Sequence, residues 1–277
     1  MLIKTILLLS VLIALGICFL AGSFAGLGWL WVLPVSFVGA FVVLVGLAFL
    51  YLYILCSRVD TSVPQEHDDP FYRKVAYLYC EAICTLLRMK VHAVGLEKTP
   101  MDGRFLLVCN HLFELDPVVL YACFQKSQLA FISKRENNAM FMVGKLMHRL
   151  MAQLINREND REALKTILKC IQLIKDDEVS IGVFPEGYTS KDGKLHHFRS
   201  GVFKIAQKAN VPIVVCTIQG TRELFHNMKR LKATDVQLHL VGVVPAEELK
   251  GKTAVEIGDR VHAMMAEDLG PDRVAEE

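Results

Sequence analysis

The sequence predicts an α/β domain, a central mixed β-sheet flanked by helices, preceded by an N-terminal transmembrane helical hairpin. Two observations carry this expectation. Of the 277 residues, 31 are Lys or Arg and 29 are Asp or Glu, yet Lys4 is the only one of these charges in the first 57 positions. Beyond residue 90, short β-branched or apolar runs alternate with stretches of helical period, the pattern of an α/β layer structure rather than of separate all-α and all-β regions. The near-balanced charge, +2 in all, excludes the strongly basic signature of a nucleic-acid binder, and the lack of long polar or Gly/Ser tracts excludes extensive disorder. The predicted organisation is a hairpin over 1–57, a linker over 58–70, a single domain over 71–270 and a charged, solvated tail over 271–277.

From Thr5 to Gly22 the chain carries no charge, and from Trp29 to Cys56 it is again uncharged, interrupted by Pro34, Ser36 and two glycines. At about 1.5 Å per helical residue these segments reach roughly 27 and 42 Å, against a hydrocarbon core of about 30 Å. The first barely spans; the second must tilt, kink near Pro34 or emerge. Ser23 to Gly28 is the turn. A signal peptide with Lys4 as its basic end is the competing reading of the first segment, and it leaves the second as an anchor. Lys4 on one side and Arg58, Arg73 and Lys74 on the other place both ends in the cytoplasm by the positive-inside rule. The expected partner is therefore a lipid bilayer, in the cell membrane, with the domain facing the cytoplasm.

The segment Val59 to Pro70 is polar with two prolines and reads as the linker. A helix follows over 71–89, with Tyr72, Val75, Tyr79, Ile83 and Leu86 as its apolar stripe and Arg73, Lys74, Glu81 and Arg88 on the other face. Strands are expected at Lys90–Val94, Phe105–Cys109, Leu129–Ile132, Val179–Phe184, Ile213–Gln219 and Gln237–Val243. Between and after them, helices are expected at Pro117–Phe124, Ala139–Ile155, Arg161–Lys175, Val202–Lys208 and Ala254–Leu269. Ile181–Phe184 has hardly a polar residue and reads as a central strand buried on both faces, so chemistry belongs in the loops at strand ends. The eight cysteines, scattered in apolar surroundings, read as small buried hydrophobes in a reducing compartment. His196-His197 has no accompanying carboxylate cluster, so no metal site is expected there.

Three loops are chemically loaded. In the first, the strand ending at Cys109 runs into Asn110-His111, with Asp116 five residues after the histidine and Pro117 behind it. Asp116 can serve as a plain helix N-cap, or its carboxylate can fold back to fix the tautomer of His111, as a histidine general base needs. The second carries Asn156-Arg157, where Arg157 can cap a helix end or meet an anion. The third is Phe184-Pro185-Glu186-Gly187, either an ordinary tight turn or a sharp backbone turn that presents N–H groups to an anion, with Arg157, Lys191, Lys194 and Arg199 as possible positive charge for phosphate.

In this order and spacing the loops resemble the blocks of the glycerolipid acyltransferases, specifically the 1-acyl-glycerol-3-phosphate acyltransferase family, over about residues 75–245. Asn110, His111 and Asp116 match its Asn-His-x4-Asp block, Arg157 the arginine that closes its second block, residues 184–187 its Phe-Pro-Glu-Gly block, and Val211 to Val214 its Val-Pro-Ile-Val run. The resemblance implies a glycerol-3-phosphate acyltransferase-like fold. It further implies transfer of a fatty acyl group from acyl-CoA or acyl carrier protein to a lysophospholipid acceptor, with no metal or redox cofactor. It makes His111 the base and Asp116 the group that orients it. Asn110, Arg157, Glu186, Gly187 and, more loosely, Lys134 and Arg199 become the substrate-binding set. Two departures stand out. Tyr188-Thr189-Ser190 occupies the place where the family commonly has Thr-Arg-Ser, which opens the acceptor to lysolipids other than lysophosphatidic acid, and Val215 stands where a second proline is usual. A thioesterase built on Cys109 with His111 and Asp116 is the hydrolase alternative, although no Gly-x-Ser-x-Gly elbow occurs in the chain; a non-catalytic scaffold is the third.

Overall fold

The computed structural model describes residues 1–275. The chain falls into two units, Met1–Asp60 and Thr61–Glu277.

The first unit consists of α1 (Leu2–Leu20) and α2 (Trp29–Ser57), joined through Gly22 at φ 61° and a short 3-10 turn at Ser23–Ala25. The two helices pack along one another. α1 buries Ile3, Ile6, Ser10, Ala14 and Cys18, a stripe at helical spacing, and Ser10 spends its hydroxyl on the Ile6 carbonyl at 2.7 Å. α2 continues unbroken through Pro34. Both helices are long and apolar enough to cross a membrane, each with a mean hydropathy of 2.6.

The second unit opens with α3 (Pro70–Leu86), whose start is set by Asp69 accepting from the N–H groups of Phe71 and Tyr72 and by Pro70 in the first turn. There follow β1 (Met89–Val94), β2 (Leu106–Cys109), α4 (Asp116–Cys123), β3 (Leu129–Lys134), α5 (Phe141–Arg149), β4 (Gln153–Ile155) and α6 (Asp160–Lys175). The chain is completed by β5 (Ser180–Val183), α7 (Lys204–Ala209), β6 (Ile213–Gln219), α8 (Leu224–Lys229), β7 (Thr234–Val244) and α9 (Ala254–Leu269). The seven strands form one sheet in the order β1-β7-β6-β2-β5-β3-β4, parallel except for the antiparallel pair β6–β7. Alternate side chains of β2 divide the core: Leu106 and Val108 pack with α6, α7 and α9, while Phe105 just before the strand, Leu107 and Cys109 pack with α3 and α4. β2 lies between β5 and β6, so their carboxyl ends form one edge with those of β3 and β4. The chain leaves β2 for one side of the sheet and later passes from β5 to the other, the point at which open α/β sheets place their ligands.

Five expectations need correction. The helix expected over 139–155 ends at Arg149; Met151 turns left-handed at φ 61°, and Gln153–Ile155 pairs with β3 as a strand. Glycine normally takes that helix-terminating conformation, so Met-Ala-Gln offers no stop signal. α8 lies where no helix was expected. On α3 the buried face carries Arg73, Ala76 and Tyr77, while Leu86 is exposed. Arg73 is buried because it pairs with Asp68 at 2.6 Å and caps the Leu129 and Leu150 carbonyls, at 2.7 and 3.4 Å. The end of the chain, expected to be frayed, docks as far as Ala275: Leu195 donates to the Arg273 carbonyl at 2.8 Å and accepts from Ala275 at 3.0 Å. Glu276 and Glu277, the last of the expected tail, lie outside the described residues. Part of the expected linker is also docked, with His67 paired to Glu178 at 2.6 Å.

Candidate active site

The end of β2 is pinned before the chemistry begins. Asn110 is 1% exposed; its amide donates to the Ile218 carbonyl at 2.9 Å and accepts from the Ile218 N–H at 2.8 Å, tying the strand end to β6. The chain then turns, and Asp116 opens α4 without a side-chain capping bond. Its buried carboxylate points back into the turn instead. Oδ2 accepts from His111 Nδ1 at 2.9 Å and from the N–H groups of Leu112 and Phe113 at 2.6 and 2.8 Å. Of the two readings of His-x4-Asp, the structure has the one in which the carboxylate fixes the imidazole. The bond to Nδ1 holds the proton there and leaves Nε2 as the free lone pair. The His111 side chain keeps 17% of its surface open to solvent.

The third block holds the other sides of the same histidine. The Phe184 ring stacks on the imidazole at 4.2 Å between centroids, and Phe131 stacks on Phe184 at 5.6 Å. Gly182 makes room for this column, because a Cβ there would lie 2.5 Å from the Phe131 ring. Glu186 is 1% exposed; Oε1 accepts from the His111 N–H at 2.9 Å and Oε2 from the His196 N–H at 3.3 Å. Burial pushes its carboxyl up to about 7, against the pull of those two donors. Ser190 completes the clamp by donating its N–H to the His111 carbonyl at 2.8 Å. Gly187 sits at φ 83°, the left-handed turn that glycine adopts without strain, and a Cβ on it would come 3.0 Å from the Arg199 side chain.

Around this centre stand the basic residues. Arg157 follows β4 by two positions, Lys134 ends β3 with its Cα in register with Ile155, and Arg199 donates its backbone N–H to the Pro185 carbonyl at 2.8 Å. Burial and the neighbouring Arg199 charge hold the Arg157 guanidinium below its ordinary value. Among the described residues none of the three side chains forms an ion pair, although Arg135, Arg149 and Arg260 elsewhere do.

The structure thus gathers His111, Asp116, Asn110, Glu186 and Gly187 into one bonded unit and sets Arg157, Arg199 and Lys134 on neighbouring strand ends and loops. Asn110 and Glu186, expected to bind substrate, have their polar atoms engaged by backbone and act on the position of His111. Phe184, Ser190 and the His196 backbone were not expected as parts of the site. Phe184 opens the third block and Ser190 stands three positions beyond Gly187, and that closeness to the block was the available signal. Cys109, the nucleophile of the hydrolase alternative, is fully buried in the layer under α3 and α4, where burial pushes its thiol well above the usual range.

A sequence profile of the Acyltransferase family matches residues 90–219. The chain is 29% identical over 188 residues to the probable 1-acyl-sn-glycerol-3-phosphate acyltransferase of Mycoplasma pneumoniae, covering 66% of this chain and 70% of that protein. It is 31% identical over 187 residues to a 1-acyl-sn-glycerol-3-phosphate acyltransferase of Chlamydomonas reinhardtii, covering 67% of this chain and 54% of the algal one. In fold it resembles the 1-acyl-sn-glycerophosphate (LPA) acyltransferase PlsC of Thermotoga maritima, with a TM-score of 0.59 at 24% identity over 71% of this chain and 79% of that one. These agreements lead to one conclusion: residues 90–219 carry an acyltransferase domain, and the chain around it is similar in sequence to 1-acyl-sn-glycerol-3-phosphate acyltransferases and in fold to PlsC.

Proposed function

We propose that this acyltransferase moves a fatty acyl group from a thioester, acyl-CoA or acyl carrier protein, to the free hydroxyl of 1-acyl-glycerol-3-phosphate, giving phosphatidic acid. The observation that carries the mechanism is the 2.9 Å bond from His111 Nδ1 to the buried Asp116 carboxylate, which leaves Nε2 as the acceptor for a proton. Nε2 takes the proton of the acceptor hydroxyl as its oxygen attacks the thioester carbonyl. The tetrahedral adduct collapses with cleavage of the C–S bond, and the imidazolium returns the proton to the departing thiolate. Asp116 stabilises the imidazolium in between. Arg157, Arg199 and Lys134 hold the acceptor phosphate, and Asn110, Glu186 and Gly187 set the loops that carry His111. The reaction needs no metal or redox cofactor.

The hairpin anchors the domain to the cell membrane with both chain ends on the cytoplasmic side, a reading supported by Lys4 before α1 and Arg58, Arg73 and Lys74 beyond the uncharged stretch of α2. Thr189 in place of an arginine favours a second reading in which the acceptor is another lysolipid. The test for both is incubation of the full chain in detergent with acyl-CoA and, separately, with acyl-loaded carrier protein, against a panel of lysolipids, with products identified by mass spectrometry. Phosphatidic acid as the main product supports the first reading; a different main phospholipid product supports the second; release of free fatty acid alone contradicts both.

A further inference from the structure

The connection from β6 to β7 lies at the same sheet edge as His111, because β6 runs parallel to β2 and β7 returns antiparallel to β6. On it Phe225, Met228 and Leu231 are 58%, 39% and 81% exposed, and Leu231 is the most exposed large apolar side chain among the described residues of the second unit. Leu231 adopts φ 55°, a conformation disfavoured for a bulky side chain, without burial in return. The segment is nonetheless firmly held. Leu231 and Lys232 donate to the Met228 and Asn227 carbonyls at 3.0 and 2.9 Å, and Arg88 donates to the Leu231 carbonyl at 2.6 Å. Lys229, Arg230 and Lys232 are exposed between the apolar groups and form no ion pair among the described residues. Phe225 meets Phe113, in the turn between His111 and Asp116, edge-to-face at 5.2 Å. Apolar tips interleaved with unpaired cations match the two layers of an anionic bilayer surface, acyl chains below and phosphates above.

We propose that Phe225 to Lys232 is a wedge by which the catalytic domain itself engages an anionic lipid surface, so that the acceptor enters the site directly from the bilayer. Phe225, Met228 and Leu231 enter the acyl boundary, and Lys229, Arg230 and Lys232 meet the headgroups. Projecting single side chains, rather than a groove, favour a fluid lipid surface over a folded protein partner, and the contact through Phe113 makes the wedge continuous with the first block. For its kinetic consequence the inference rests on the lipid-acceptor reading above.

The experiment uses the full chain, with Trp29 and Trp31 replaced by Phe, carrying Leu231→Trp or, as a second reporter, Met228→Trp. The protein is reconstituted in phosphatidylcholine vesicles with and without phosphatidylglycerol. Quenching of the new tryptophan by lipids brominated on the acyl chains, stronger with phosphatidylglycerol, is the expected result. Quenching by aqueous acrylamide and not by brominated lipid in both reporters overturns the wedge, as does shielding from both quenchers, which means a protein surface covers it. In parallel, Lys229→Glu/Arg230→Glu/Lys232→Glu should raise the apparent acceptor KM several-fold in phosphatidylglycerol vesicles and leave it unchanged for acceptor in neutral detergent. An equal change in both media overturns the proposal. The fluorescence arm needs no turnover, so lipid quenching without acyl transfer would count against the proposed reaction and not against the wedge.

Discussion

The two halves of the site differ in how fully the protein engages the groups at their centres. On the His111 side, the backbone N–H, the carbonyl, Nδ1 and one ring face are each engaged, by Glu186, Ser190, Asp116 and Phe184. On the basic side, Arg157, Arg199 and Lys134 have no ion-pair partner among the described residues, and burial together with the Arg199 charge raises the cost of carrying charge on Arg157. The difference fits the two tasks proposed for the site. A general base acts well when its geometry is set before the substrate arrives, since no reorganisation then falls on the reaction step. A phosphate site acts well when its charges remain unspent until the anion comes. If this division is right, variants on the first side should lower turnover, and variants on the second should weaken acceptor binding.

The largest effect should come from His111→Ala, which removes the proposed base: turnover should fall by about 10²–10⁴-fold while the fold survives. Circular dichroism and initial rates on the same preparation check it, and near-normal turnover would show that the base lies elsewhere. Glu186→Gln should follow. An amide places a donor opposite one of two N–H donors, so a loss of about 1–3 kcal/mol of stability is expected together with reduced kcat. Its pH dependence sharpens the point. Glu186 binds its proton more tightly in the folded chain, at about 7, than at its ordinary value of 4.5. Its contribution to stability is therefore full below about 4.5 and lost as pH rises through about 7, a change on the order of 3 kcal/mol. Denaturation at pH 5 and pH 8 should accordingly show the wild type losing its advantage over the glutamine variant at the higher pH.

Smaller effects belong to the rim and the core. Thr189→Arg adds a cation near the basic half and should lower the KM for a phosphate-bearing acceptor a few-fold; no change would mean that residue 189 does not face the phosphate. Cys109→Ser should leave turnover close to wild type, and intact-protein mass spectrometry after acyl donor alone should find no acylated chain. A donor-dependent adduct, absent from the serine variant and discharged by acceptor, would revive the covalent route.

Much of this was legible in the sequence for local reasons. The strands at the centre of the sheet are apolar on both faces, so they stand out as continuous runs, and the His111–Asp116 pair is a single turn whose spacing brings carboxylate to imidazole. What was illegible depends on distant partners. Nothing near Glu186 in sequence shows that its oxygens meet the N–H of His111, 75 residues away, and of His196, 10 residues away. Arg73 looked like a surface charge because the carbonyls that bury it, at Leu129 and Leu150, come from two later elements. β4 was lost inside a helical pattern because the residue that ends the helix is methionine and the strand is only three residues long.

The division of labour itself is tested most directly by measuring kcat and both KM values for Asp116→Asn and Arg157→Ala side by side, with acyl-CoA and 1-acyl-glycerol-3-phosphate in one detergent. The expected result is a split. Asp116→Asn loses kcat with little change in either KM, and Arg157→Ala raises the acceptor KM with donor KM and kcat nearly unchanged. A rise in donor KM in Arg157→Ala equal to that for acceptor, or a wild-type kcat in Asp116→Asn, would contradict the account.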